Sequence, residues 1–247
     1  MMREALLLAT ALQFLTRLPV GTPPWKPEQL TRSMRYFPLV GALVGAISGG
    51  VLILAATLVP LQIAAGLALA GTIALTGALH EDGLADTADA LGGHAPRQRA
   101  LAIMRDSRIG TYGAAALILS IGLRWAALAS VDAGTGALLL VAAGATGRAA
   151  IVPVSLLCGY ARAAGAGDGV SPGASSAEIA LASLTALAFC LIFGMAGLLA
   201  FALAAAAAWI ILRLLLRRLG GYTGDGLGAI EQAAEITVLI TLAGACA

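Results

Sequence analysis

Between Arg35 and Glu81 the chain places no Asp, Glu, Lys or Arg. A soluble domain cannot accommodate so long a stretch without charge. Pro60 divides it into two apolar runs, about Tyr36–Leu58 and Ile63–Leu79, each near the ~20 residues that a helix needs to cross a hydrocarbon core about 30 Å thick. Further runs of this kind lie at Tyr112–Ser130, Gly136–Leu157, Glu178–Ala196 and Gly197–Leu216. A last helix starting near Gly228 supplies about 20 residues more. Over the whole chain 60% of residues are hydrophobic and 11% charged, against about a quarter charged in soluble domains. The expected fold is therefore all-α: a polytopic integral membrane helical bundle of about seven transmembrane helices in a single domain, residues 1–247. The apolar segment Ala5–Leu15, closed by Thr16-Arg17-Leu18-Pro19, is expected to be an interfacial or re-entrant helix, because it is short for a span and no small-residue cleavage site follows it.

The charges divide the connections into two sets. Arg3, Arg17, Lys26, Arg32 and Arg35 precede the first span. Arg97, Arg99, Arg105 and Arg108, then Arg162, then Arg213, Arg217 and Arg218 fall on later connections of the same side. The turns near Pro60, Asp132 and Ala196 carry no Lys or Arg. The positive-inside rule puts the basic set, with the N-terminus, in the cytoplasm, and an odd number of spans puts the C-terminus outside. Arg124 and Arg148 lie inside spans. Arg124, towards the far end of its span, is expected to snorkel. Arg148 is expected either to bind a substrate phosphate or to form a structural ion pair. No internal repeat is visible, and the polar groups gather at one face instead of the midplane, which favours an enzyme at the membrane surface over an alternating-access transporter. Its expected active-site loops lie near 80–111, 158–177 and 217–231.

Three segments carry candidate chemistry. In His80-Glu81-Asp82-Gly83-Leu84-Ala85-Asp86-Thr87-Ala88-Asp89, the aspartates at 82, 86 and 89 form one stripe of a helix. With no basic residue among them, they form either a solvated acidic helix end or a cation site, and oxygen-only ligands suit Mg²⁺. Gly83 would let the backbone approach a ligand. Met104-Arg105-Asp106-Ser107-Arg108 offers two guanidinium forks suited to a diphosphate, or ordinary positive-inside anchors. Gly220-Gly221-Tyr222-Thr223-Gly224-Asp225-Gly226-Leu227-Gly228 is a glycine-rich loop in which Asp225 is a further candidate ligand, and Glu231 and Glu235 share a face of the helix after it. The loop Tyr160–Ser176, with Arg162 and Asp168, is a lid or a connector. Cys158, Cys190 and Cys246 are isolated and read as packing residues, and His80 and His94 are too few for a zinc site. Carboxylates for metal and arginines for phosphate indicate phosphoryl-group transfer, with a carboxylate or His80 accepting the proton of an attacking hydroxyl.

His80-x-Asp82-Gly83-Leu84-Ala85-Asp86-Thr87, Met104-Arg105-Asp106-Ser107-Arg108-Ile109-Gly110-Thr111 and Thr223-Gly224-Asp225-x-x-Gly228-Ala229 together resemble the adenosylcobinamide-GDP ribazoletransferase family, also called cobalamin synthases. Phe14-Leu15-Thr16-Arg17-Leu18-Pro19-Val20 and Phe37-Pro38-Leu39-x-Gly41 are similar too, so the resemblance runs in order along nearly the whole chain. It implies an inner-membrane enzyme, requiring Mg²⁺, that joins α-ribazole or its 5′-phosphate to adenosylcobinamide-GDP and releases GMP. Carried onto this chain, it implies Asp82, Asp86, Asp89, Asp225 and Glu231 around the metal and Arg105, Arg108 and Arg148 on phosphates. The expected catalytic groups are His80, Asp82 and Asp86. Glu81 stands where members often have an apolar residue, and Ala90 where glycine is common. Membrane lipid, a second copy or other enzymes of the pathway are the remaining expected partners; nucleic acid is not. The competing readings are a lipid enzyme like the CDP-alcohol phosphotransferases, which share an Asp-Gly-x-x-Ala motif but need further spaced aspartates not found after Asp89, and a cation-coupled transporter.

Overall fold

The computed structural model describes residues 2–21, 26–161 and 173–247. Most of the loop expected near 158–177, with Arg162 and Asp168, lies outside the described residues. Among those described, every regular element is helical: α1 (Met2–Leu15), α2 (Pro27–Ser33), α3 (Phe37–Ala56), α4 (Leu61–Thr76), α5 (Leu79–Gly92), α6 (Arg97–Ile103), α7 (Thr111–Ala129), α8 (Ala133–Ala150), α9 (Val154–Leu157), α10 (Ser176–Cys190), α11 (Gly194–Leu219) and α12 (Gly224–Cys246).

The bundle is built inside out relative to a soluble protein. Large apolar side chains such as Leu54, Leu58, Ile118, Leu184 and Ile210 are exposed on its outer surface. The interior is rich in small residues, among them Ala64, Ala65, Ala68, Ala143, Ala145 and Ala204. Apolar side chains gain little by moving from lipid to protein, so close backbone contact between small residues drives such packing. The α3–α8 pair shows it. A Cβ added to Gly45 would lie 2.6 Å from the Leu140 carbonyl carbon, and one on Gly49 would lie 2.8 Å from Ala137 Cβ. The small residues Gly45 and Gly49 of α3 therefore serve to pack it against α8.

Five stretches of the described chain are long and apolar enough to cross a membrane: Glu28–Ala56, Thr111–Ala129, Ala133–Leu157, Ser176–Leu219 and Gly224–Cys246. A sixth is added if α4 and α5, which meet at 89°, count as one span. The expected count of about seven is not confirmed by this tally, in which Ser176–Leu219 counts as one stretch of 44 residues although it comprises both α10 and α11. It is bent. Gly194 has φ +58°, and a Cβ on Gly197 would lie 2.5 Å from the Cys190 carbonyl carbon, whereas residues seven apart on a straight helix are about 10 Å apart. α1, at 14 residues, would reach only about 21 Å and is too short to span. It packs on α2 and α3, with Phe14 stacked on Phe37 at 5.7 Å.

α12 is the hub. It packs against α11, α5, α8 and α7 and starts at an N-cap, where Thr223 Oγ1 accepts from the Gly226 N–H at 3.0 Å. Arg97 on α6 staples the charged loops together: its Nε donates to the Leu219 carbonyl at 2.6 Å, and Nη2 donates to that of Ala161 at 2.9 Å. Gly159–Ala161 in turn pairs with Tyr222, the Ala161 N–H donating to its carbonyl at 2.8 Å.

Candidate active site

The site begins at the corner between α4 and α5. Gly77 (φ +67°) and Ala78 (φ +60°) are both left-handed, which turns the chain and aims α5 across the bundle. For alanine that conformation costs about 1–2 kcal/mol. The Arg17 backbone N–H, donating to the Leu75 carbonyl at 2.8 Å, braces the corner from the N-terminal segment.

α5 carries the acidic stripe as a helix, as the spacing predicts. On it Asp82 is exposed and Asp86 half-buried. Both line a cleft of about 430 Å³, together with Glu81 and with Arg105, Asp106 and Arg108 from the loop between α6 and α7. The acidic stripe and the arginine segment, 19 residues apart from Asp86 to Arg105, thus share one concavity. Arg108 grips Asp106 in a bidentate pair, with Nε at 3.0 Å from Oδ1 and Nη2 at 2.6 Å from Oδ2. The guanidinium holds the Asp106 carboxyl below its ordinary range, and the carboxylate raises Arg108 in return.

The remaining expected ligands lie elsewhere. Asp89 spends both oxygens on backbone: Oδ2 accepts from the Gly110 N–H at 2.7 Å and Oδ1 from that of Gly113 at 2.8 Å. It caps the start of α7, whose orphan N–H groups favour a carboxylate. Gly83 does permit a close approach, but by α12 and not by a ligand: a Cβ there would lie 2.7 Å from the Asp225 carbonyl and 3.1 Å from Gly228 Cα. Asp225, in the first turn of α12, and the buried Glu231 are not among the residues lining the cleft. The expected five carboxylates therefore do not form one cluster, and among the described residues no three His, Cys, Asp or Glu side chains are placed to hold an ion by themselves. That donor set still fits Mg²⁺, which usually takes one or two carboxylates and completes its shell with water and substrate phosphates. Asp82 and Asp86, lining the cleft with Arg105 and Arg108, are a donor set of that kind.

Behind the cleft lies a buried polar cluster. Arg148 Nη1 is 2.7 Å from Glu231 Oε1 and 2.5 Å from Glu235 Oε2. Arg124 sits 3.2 Å from Glu235 and 3.1 Å from Glu81. The His80 ring is 3.5 Å from Arg148 and 3.8 Å from Glu231. Gln232 donates to Glu231 at 2.9 Å and accepts from Ser120 at 3.0 Å. One expectation is corrected. Arg124 does not snorkel; it is 0% exposed, because two carboxylates inside the bundle hold it more strongly than distant water. Of the two roles expected for Arg148, the ion pair is the one seen: it is 1% exposed, held by the glutamates of α12, and not among the residues lining the cleft. His80 is also buried and does not line the cleft. Sequence reasoning missed the Glu81–Arg124 pairing. Part of the signal was present, since a lone charge in an apolar span needs a partner.

A helical bundle with an apolar outer surface and a charged cleft at the corner of a bent helix defines an integral-membrane enzyme. Within that class, the chain belongs to the cobalamin-5-phosphate synthase (CobS) family, whose model matches residues 7–243, a transferase family of cobalamin synthesis. It is 44% identical to the adenosylcobinamide-GDP ribazoletransferase of Leptothrix cholodnii over 97% of this chain and 96% of that one. It is 45% identical to the protein of the same name from Bradyrhizobium diazoefficiens, over 96% and 92%. No solved structure matches.

Proposed function

We propose that the chain joins α-ribazole, or its 5′-phosphate, to adenosylcobinamide-GDP and releases GMP, giving adenosylcobalamin or its 5′-phosphate. The observation that carries this reading is the shared cleft: two carboxylates face two arginines, the arrangement a diphosphate bridged through a cation requires. Arg105 and Arg108 would hold the diphosphate oxygens by their planar forks. A ribose hydroxyl then attacks the phosphorus on the cobinamide side, a new P–O bond forms, and the bond to the GMP oxygen breaks. The hydroxyl proton passes to a carboxylate of the cleft, for which Asp82, the more exposed, is the better placed. Asp82 and Asp86 would hold Mg²⁺, which when bound supplies neutralisation of the diphosphate and of the leaving phosphate oxygen. His80 and the cluster behind it position α5 against α12. The basic loops support a placement in the inner membrane with the cleft facing the cytoplasm.

Purified protein in lipid tests the substrate class. Adenosylcobinamide-GDP with α-ribazole should yield GMP, whereas a CDP-activated lipid with an alcohol acceptor should yield no CMP. CMP without GMP would favour the lipid-enzyme reading.

A further inference from the structure

On the far side of α8 from the buried cluster, a cavity of about 150 Å³ opens between α8, α9, α10 and α11. Its walls are mostly apolar, with Ala149, Leu157, Phe201, Ala205 and Trp209 among them. Trp209 also lines a second cleft, with Arg213 and Arg217 at the loop-bearing end of α11. The three residues are spaced by four, so they form one exposed stripe. The Arg213 guanidinium lies 5.6 Å over the Trp209 ring, a cation–π contact of a residue type that favours membrane interfaces. Among the described residues neither arginine is ion-paired, unlike Arg35, Arg108, Arg124 and Arg148. Two unmatched guanidiniums therefore line a cleft that adjoins the apolar slot through their shared wall residue, Trp209.

We infer that this stripe and slot form a binding site for an anionic phospholipid, with one acyl chain in the slot and the phosphate between Arg213 and Arg217. The chemistry is complementary at both ends. The slot is mostly apolar; of its two hydroxyl-bearing lining residues, Thr146 and Ser183, Thr146 already donates to the Ala142 carbonyl at 2.8 Å, so a hydrocarbon tail enters at little cost in unpaired polar groups. Arginine forks bind phosphate by paired hydrogen bonds, and each basic residue near an anionic leaflet adds about fivefold in affinity. A zwitterionic headgroup gains little there. The site lies apart from the acidic cleft, so it is independent of the proposed reaction.

The test uses the full-length protein, stripped of lipid in detergent and titrated with phosphatidylglycerol or phosphatidylcholine of matched chains. Retained lipid is counted by native mass spectrometry. The wild type should retain phosphatidylglycerol about 25-fold better than phosphatidylcholine, from two arginines at about fivefold each. R213Q/R217Q, on exposed positions, should lose that preference. A205F, which fills the slot, should lose retention of both lipids while keeping the same melting temperature without lipid. Equal retention of the two lipids by the wild type would overturn the site, as would full preference in R213Q/R217Q. Displacement of phosphatidylglycerol by millimolar inorganic phosphate would also overturn it, by showing a site for free anion in place of lipid.

Discussion

The Arg124 guanidinium lies 3.1 Å from the Glu81 carboxylate, with both side chains withdrawn from solvent. Through Glu235 the contact extends to Arg148 and Glu231. Glu81 is thus the link between the cleft it lines and the buried cluster, and the charge across from it accounts for a carboxylate at this buried position.

That relationship has an asymmetric consequence. The guanidiniums that Glu81, Glu231 and Glu235 face are those of Arg124 and Arg148, so the cluster has one carboxylate more than it has guanidiniums, with the His80 ring 3.8 Å from Glu231 besides. Removing Arg124 leaves two buried carboxylates short of a partner, and R124L should cost about 3–5 kcal/mol. E81L leaves two arginines with two glutamates and should cost less, and E81L/R124L should recover most of the loss. Thermal unfolding in one detergent, across the double-mutant cycle, measures this. Equal losses for the two single variants would show that the pair is not the controlling contact.

Asp89 and Asp82 should separate cleanly despite sharing a stripe. Asp89 accepts two backbone N–H groups at the start of α7, so D89N should lose about 1–2 kcal/mol of stability and leave the Mg²⁺ dependence of turnover nearly unchanged. D82N should leave stability within about 0.5 kcal/mol, as for exposed positions, and shift the Mg²⁺ titration to higher concentration. Titrating Mg²⁺ against activity in both variants decides it. A shift in D89N with none in D82N would reverse the two roles.

The Asp106–Arg108 pair sets an acid limit. Its aspartate is depressed below the usual value by Arg108, so the pair is fully formed above the ordinary carboxylate pKa, about 3.9, and is lost as pH falls through the lower folded value. Between pH 6 and 8, in the range where both groups stay charged, substrate phosphate must compete with Asp106 for Arg108. D106N should therefore lower the KM for adenosylcobinamide-GDP severalfold with a smaller change in kcat, whereas R108Q should raise that KM by about tenfold or more. Steady-state kinetics at fixed α-ribazole distinguishes the two.

Ala78 holds a left-handed conformation at the α4–α5 corner. A78G should stabilise the fold by about 0.5–1 kcal/mol if relief of strain outweighs the added backbone freedom of the unfolded chain. The melting temperature reports the sign, and a fall would show that the alanine methyl packs usefully beside the cleft.

Much of this architecture was legible in the sequence because hydrophobic runs and loop charges are local. The apolar stretches predict α3, α4, α7, α8, α11 and α12 closely, and the i, i+4, i+7 spacing predicts the acidic stripe of α5. The meeting of Asp82 and Asp86 with Arg105 and Arg108 was also accessible, since both segments flank one short helix. What the sequence did not disclose is which charge faces which across the bundle. Arg124 and Glu81 are far apart in the chain and lie on helices whose rotation depends on glycine contacts such as Gly83 against Gly228. The same contacts turned Asp89 towards a helix terminus and Glu231 towards Arg148. The turn expected near Ala196 does appear, two residues earlier, as the left-handed Gly194 that separates α10 from α11.

The central claim is that transfer occurs in the cleft between the α5 carboxylates and the loop arginines. The direct measurement is the initial rate of GMP release from adenosylcobinamide-GDP and α-ribazole with saturating Mg²⁺, for wild type and D82N/D86N in the same lipid. Melting temperatures confirm that both are folded. The account predicts a rate lower by about 10²–10³-fold in the double variant. A folded D82N/D86N protein that releases GMP at the wild-type rate would contradict it.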